Sequence, residues 1–152
     1  MYVEPQFPNL LFAKDGEIYN INGNRCIVIG GAYSVDKPYR LVMGWHWRPN
    51  EQPSPKIKAR VEKRLEADGW KIDAVLSHTC PLKYEPTEVF IEGIDQSHVD
   101  KDTEVLLDSI EDRLDYGAWY CGYPPQNKIR IAKALYHVNL CFMNTSSFPC
   151  AQ

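Results

Sequence analysis

The feature that most constrains this chain is Arg25-Cys-Ile-Val-Ile29, a β-branched run of the kind that fills a buried strand, closed by Gly30-Gly31. The paired glycines allow either a sharp exit from that strand or the close approach of another backbone. Upstream, Asp15-Gly16 and Asn22-Gly23-Asn24 are tight-turn signals on either side of the alternating stretch Glu17–Ile21. Asn9–Ala13 reads as one more short strand. The opening is therefore expected to be a three-stranded antiparallel meander over Asn9–Ala13, Glu17–Ile21 and Arg25–Ile29.

The rest of the pattern is helix-then-strand. Ser54 is placed to cap a helix that has Pro55 at its first position, Ile57, Val61 and Leu65 on one face, and Gly69 at its end. Ile72–Ser77 follows as a strand, and His78-Thr-Cys-Pro81 sits just past it, at the strand end where open α/β sheets bind ligands. Asp100 is placed to cap a second helix running to about Asp115, with Leu106 or Leu107, Ile110 and Leu114 facing inward. Ala118–Cys121, Ile129–Ala132 and Leu135–Phe142 read as further strands, and 144–152 as a polar tail. The expected class is α/β, a mixed or antiparallel sheet flanked by helices, in a single domain over 1–143 followed by that tail.

Between the two halves, Ala32–Pro53 has no clean period and holds Pro38, Pro49 and Pro53. So long a loop in a compact domain is commonly functional. Asp36 and Arg40 offer two readings there: an ion pair that pins the loop, or an Arg40 guanidinium free to grip phosphate with its planar fork. Trp45 and Trp47 are expected to cover the edge of the core, and His46 and His98 to be surface or packing residues.

With 152 residues, 44% hydrophobic and 24% charged, the composition excludes a disordered chain. A net charge of −3 gives no basic excess for nucleic acid. No stretch approaches the uninterrupted apolar length of a transmembrane helix, so no membrane partner is expected. The N-terminus Met-Tyr-Val-Glu-Pro lacks a basic region followed by an apolar one, which argues against an export signal. Cys26, Cys80, Cys121, Cys141 and Cys150 form no C-x-x-C pair, and the simplest expectation is reduced thiols in a cytoplasmic protein. Lys56–Lys71 is rich in bases and Glu85–Asp115 in acids. They are either solvated helix faces or patches that meet, within the chain or between two copies.

Three stretches carry a resemblance. They are Asp15-Gly-Glu-Ile-Tyr19 running into Ile29-Gly-Gly-Ala-Tyr-Ser-Val-Asp-Lys37, then Val75-Leu-Ser-His-Thr-Cys-Pro81, then Trp119-Tyr-Cys-Gly122. In order and spacing they resemble the C-terminal half of the calcineurin-like metallophosphoesterases, most closely the bacterial and phage serine/threonine phosphatase-like members. The resemblance covers most of the chain up to Gly122. It implies a layered α/β/β/α sandwich, of which this chain carries part, and a pair of divalent metals (Mn, Fe or Zn) that activates a bridging water for attack on phosphorus.

The family draws its ligands from Asp-x-His, Gly-Asp, Gly-Asn-His followed by an acid, a lone His after a strand, and Gly-His-x-His. Here His78 matches the lone His as a metal ligand. No Asp-x-His or Gly-Asn-His occurs in the chain, which is expected to begin downstream of those blocks. Gly122-Tyr123-Pro124-Pro125 stands where Gly-His-x-His belongs, so Tyr123 and Pro125 are altered ligand positions. A phenol titrates near pH ~10 and is a poor replacement, and proline offers no side-chain ligand. A zinc site from His78, Cys80 and Cys121 is a chemical alternative, and a loop histidine bonded to backbone is the plain reading of His78. The loop with Tyr33, Asp36, Lys37 and Arg40 resembles a segment at the family's substrate mouth.

The expected function is thus a metallophosphoesterase-like domain without its dinuclear centre, binding no stoichiometric metal pair and inactive by itself. The alternatives are a binding or scaffold protein that keeps the fold, and one part of a split phosphoesterase. The expected partners are a phosphate-containing ligand and a second copy of the chain, because half of such a fold leaves apolar surface uncovered.

Overall fold

The structure, a computed structural model, describes residues 2–47, 49–85, 87 and 97–122. Its strands are β1 (Tyr2–Glu4), β2 (Phe7–Phe12), β3 (Ile18–Ile21), β4 (Asn24–Ile29), β5 (Lys71–Ser77) and β6 (Asp115–Cys121). Its helices are α1 (Lys37–Val42), α2 (Pro55–Ala67) and α3 (Asp102–Glu111), with a 3-10 turn at Leu82–Tyr84. One sheet has the order β3-β4-β5-β6, with β3 antiparallel to β4 and the other pairs parallel. Parallel neighbours need crossovers, and here α2 and α3 lie within them. Both crossovers step in the same direction, so right-handed connections put both helices on one face of the sheet. Lys58 of α2 and Asp102 of α3 meet at 2.6 Å, as neighbours on that face should.

The α2 ends are written in local chemistry. The Ser54 side chain accepts a hydrogen bond from the Ile57 N–H at 3.4 Å, and Pro55 occupies the first position, where a missing N–H costs nothing. At the other end Gly69 has φ +65, and the Trp70 and Gly69 N–H groups reach back to the carbonyls of Leu65 and Glu66 at 2.8 and 3.0 Å. That is a Schellman closure. Trp70 itself has φ +56, costly for a side chain with a Cβ, and the Arg113 guanidinium stacks 3.6 Å from its ring centroid.

The core lies between the sheet and these helices. Ile27, Val75 and Trp119 are register partners across β4, β5 and β6, and all three are buried. Val61 and Leu65 of α2, and Leu107 and Ile110 of α3, close over them with no exposed surface. Trp119 Nε1 donates to Ser77 Oγ at 2.8 Å, and Ser77 Oγ donates to the Thr79 carbonyl at 2.6 Å. The indole therefore enters the core with its polar atom satisfied.

Several expectations need correction. The meander is not formed: β2 pairs with β1, a strand the sequence pattern did not show, in a separate two-stranded sheet. The β3–β4 pairing is extended by the turn before β3, where Gly16 N donates to Val28 O at 2.8 Å and Val28 N to Glu17 O at 3.2 Å. The second β-turn does form, with Asn22 and Gly23 both at positive φ between β3 and β4. The second helix is shorter than expected. Lys101 is its N-cap and Asp100 Oδ1 accepts from the Asp102 N–H at 3.0 Å, while Asp115 already belongs to β6. Leu106, Leu107, Ile110 and Leu114 are all buried. The strands expected at Ile129–Ala132 and Leu135–Phe142, and the tail, lie outside the described residues. Among the described residues no helix is long and apolar enough to cross a membrane.

A polar cluster fastens the 3-10 turn to α3. Glu111 accepts hydrogen bonds from Tyr116 Oη at 2.9 Å and Tyr84 Oη at 3.3 Å, and pairs with Lys83 Nζ at 2.7 Å. Burial works to raise the Glu111 carboxyl, but the hydrogen bonds from Lys83, Tyr116 and Tyr84 outweigh it and hold it below the ordinary value. Burial and the adjacent carboxylate push the Tyr116 phenol up.

Two expected outcomes follow. Leu107→Ala removes a fully buried side chain and should destabilise the chain by about 2–5 kcal/mol, read as a lower urea midpoint at unchanged slope. A carboxyl held low in the folded state stabilises fully above its unfolded value, and that stability is lost as pH falls through the folded one. The wild-type urea midpoint should thus drop as pH is lowered below the ordinary carboxylate value of 4.5, and Glu111→Gln should flatten that part of the profile. An unchanged pH profile in the variant would show that Glu111 is not the group responsible.

Candidate functional site

The carboxyl ends of β4, β5 and β6 are laced together through the main chain of His78. Its N–H donates to Ile29 O at 3.2 Å, and its carbonyl accepts from Gly122 N at 3.1 Å. The imidazole is exposed. His78 thus sits in the turn after β5, at the strand end where the resemblance places a ligand.

The exit of β4 builds the neighbouring wall. Gly30 N donates to Asp15 Oδ1 at 2.7 Å. Gly31 has φ +89, and a Cβ there would sit 2.6 Å from the Glu51 carbonyl. Only glycine lets the returning strand of the loop lie that close. Glu51 then turns its carboxylate to Ser34, accepting from the Ser34 N–H at 3.2 Å and from its hydroxyl. These contacts frame an open cleft of about 620 Å³ lined by Ser34, Arg40, His46, Trp47, Asn50 and Glu51.

Of the loop residues singled out from the sequence, Arg40 reaches the cleft wall; Tyr33 and Asp36 do not line it. The Asp36–Arg40 pair is present, Nε to Oδ2 at 2.6 Å along α1, with both side chains nearly half exposed. A solvated pair of this kind contributes about 0–1 kcal/mol, so Arg40 can exchange Asp36 for another anion at small cost. Lys37 Nζ lies 5.1 Å from the Tyr33 ring centroid and 5.4 Å from that of Trp47. The Lys37 ammonium therefore braces the loop against two aromatic faces.

The loop was expected to carry no helix, but α1 forms with Pro38 in its first turn. His46 is a surface residue, as expected, and it also lines the cleft, which nothing in its spacing marks. Trp45 is a correction as well: it is 52% exposed and meets Tyr39 edge-on at 5.7 Å, away from the core edge it was expected to cover.

Cys80 and Cys121 come together beside this strand end. Cys121 is the register partner of Ser77, and the Ser77–Thr79 hydrogen bond turns the chain so that Cys80 enters the core cluster, against which Cys121 packs. The neighbouring Cys121 thiol holds the Cys80 thiol below its ordinary value against the effect of burial, while Cys80 and burial raise Cys121.

Among the described residues His78 is exposed while Cys80 is buried. Among the described residues no three His, Cys, Asp or Glu side chains are grouped to hold a metal ion. Tyr123 and Pro125, the altered ligand positions, lie outside the described residues. Compared with known protein families, curated proteins and solved structures, the chain matches none.

Proposed function

We propose that this chain is a metallophosphoesterase-like domain that binds a phosphate-bearing ligand in the cleft after β4 and does not hydrolyse it by itself. The observation that supports binding is Arg40 on the cleft wall beside His46, with only a half-exposed partner to give up. A guanidinium fork fits phosphate oxygens, and a neighbouring imidazole supplies a further donor. The carboxylate that faces the same space, Glu51, is occupied by Ser34. The lack of turnover is argued from ligand count. Each open catalytic site takes about three protein donors, and the motif-matched donor in this sequence is His78 alone. Without the ions, neither a nucleophilic water nor neutralisation of developing charge is supplied.

A second reading, self-association, draws on one further observation. Val35, Tyr39, Leu41, Val42, Met43 and Trp45 are each at least half exposed within a single short stretch around α1. Contiguous apolar surface of this kind is commonly covered by a partner, and the second copy of the chain is the occupant we adopt.

The first reading is tested by titrating the full chain with inorganic phosphate in a calorimeter. Arg40→Ala should weaken binding about ten- to a hundredfold, the loss of one charge-assisted contact. Equal binding by wild type and variant would remove the cleft from the proposal. Manganese-dependent turnover of an aryl phosphate above background would overturn the non-hydrolytic part. For the second reading, sedimentation should show a dimer at micromolar concentration that Val42→Asp converts to monomer. A wild-type monomer across that range would refute it.

A further inference from the structure

The turn between β3 and β4 brings together the two groups that a backbone imide needs, a side-chain amide and an uncrowded main-chain nitrogen one residue on. Asn22-Gly23 is the one Asn-Gly pair in the sequence, and every other asparagine precedes a residue whose side chain crowds the next nitrogen. Both turn residues are exposed, and a Cβ built on Gly23 would meet nothing within 4 Å. The two Asp-Gly pairs could follow the same chemistry, but their carboxylates are engaged. Asp15 Oδ1 accepts from Gly30 N at 2.7 Å, and Asp68 pairs with Arg25. At Asn22 it is the attacking nitrogen that is held. Gly23 N–H donates to Asn20 Oδ1 at 2.9 Å, and φ of 52 at Asn22 and 88 at Gly23 fold the pair into a tight hairpin turn. That hold is shallow. β3 has four residues at the edge of its sheet, the last two of them exposed, and such edges open locally far more readily than the whole domain.

We propose that Asn22 is a site of spontaneous deamidation and that the Asn20 side chain is the latch that gates it. When the turn opens, the Gly23 N–H leaves Asn20 Oδ1 and the Gly23 nitrogen attacks Asn22 Cγ. An N–Cγ bond forms, the Cγ–Nδ2 bond breaks, and ammonia departs carrying the proton that Gly23 N gives up. The product is a five-membered imide. Water then opens the ring in one of two ways. Addition at Cγ breaks the new N–Cγ bond and leaves aspartate in the original chain. Addition at the Asn22 main-chain carbonyl breaks the original peptide bond and leaves isoaspartate, joined to Gly23 through its side chain. No atom is oxidised or reduced, and either product adds one negative charge. The isoaspartyl link also lengthens the main chain by one methylene. A two-residue turn cannot absorb that and still hold Ile21 opposite Asn24, so the β3–β4 register is lost from this end.

The test ages the full chain in mildly alkaline buffer, with and without urea, and follows the peptide containing Asn22 by mass spectrometry after digestion, with its aspartyl and isoaspartyl forms separated by chromatography. Conversion should fall on Asn22 before any other asparagine and run more slowly in the folded chain than in urea. Folded Asn20→Ala should convert about two- to tenfold faster than the folded wild type, the weight of one hydrogen bond. Asn20→Asp keeps the acceptor and should convert at close to the wild-type rate. In urea all three chains should share one rate, because the latch exists only in the folded turn. Conversion that begins at another asparagine, or a folded Asn22 that stays intact while the unfolded chain converts, would overturn the site. Equal rates for folded wild type and Asn20→Ala, or an Asn20→Asp chain as fast as Asn20→Ala, would overturn the latch.

Discussion

The hydrogen bond from Trp119 Nε1 to Ser77 Oγ is the contact on which the arrangement of the strand ends depends. It crosses between two parallel strands inside the core, where a polar atom without a partner would cost about 1–3 kcal/mol. Serine can both accept and donate, and here it does both: it receives the indole N–H and passes its own proton to the Thr79 carbonyl. The same three residues thus fix the pairing of β5 with β6 and the turn that follows β5. Because the turn is fixed, His78 points outward while Cys80 is carried inward. A chain with valine at position 77 could still build the sheet, but it would lose the bond that separates these two destinations.

What was legible in the sequence was local. The limits of α2 follow from Ser54, Pro55 and Gly69, each acting on groups within one turn of itself. The inward set of α3 follows from its spacing, and the Asp36–Arg40 pair from the i, i+4 rule. What escaped was decided by partners distant in the chain. The residues of β2 are compatible with either neighbour, and β2 pairs with β1 and not with the edge strand β3. A six-residue helix beginning at Lys37-Pro38 is too short to show a period. The presence of His46 in the cleft, and the meeting of Cys80 with Cys121, are properties of loop closure and sheet register, which no window of sequence contains.

The uneven charge of the chain also finds its reason in the fold. The basic stretch holds α2 and the acidic one α3, and the two helices share a face of the sheet. Lys58 of the basic stretch reaches Asp102 of the acidic one, and Lys71 reaches Asp115. The two stretches therefore meet at these pairs within one chain. Both pairs are partly solvated, so each adds little stability.

The four tryptophans occupy four different physical environments, and this makes the molecule optically divisible. Trp119 is 3% exposed with its indole N–H bonded inside the core, whereas Trp45 is 52% exposed on the cleft loop. Trp70 lies under a guanidinium at the junction of α2 and β5, and Trp47 stands beside the Lys37 ammonium. A buried indole emits at shorter wavelength than a solvated one, and an adjacent cation alters the emission of the ring it covers. The intrinsic fluorescence of this chain is therefore a superposition in which the loop and the sheet speak at different wavelengths, so that movement of one can be followed while the other stays still.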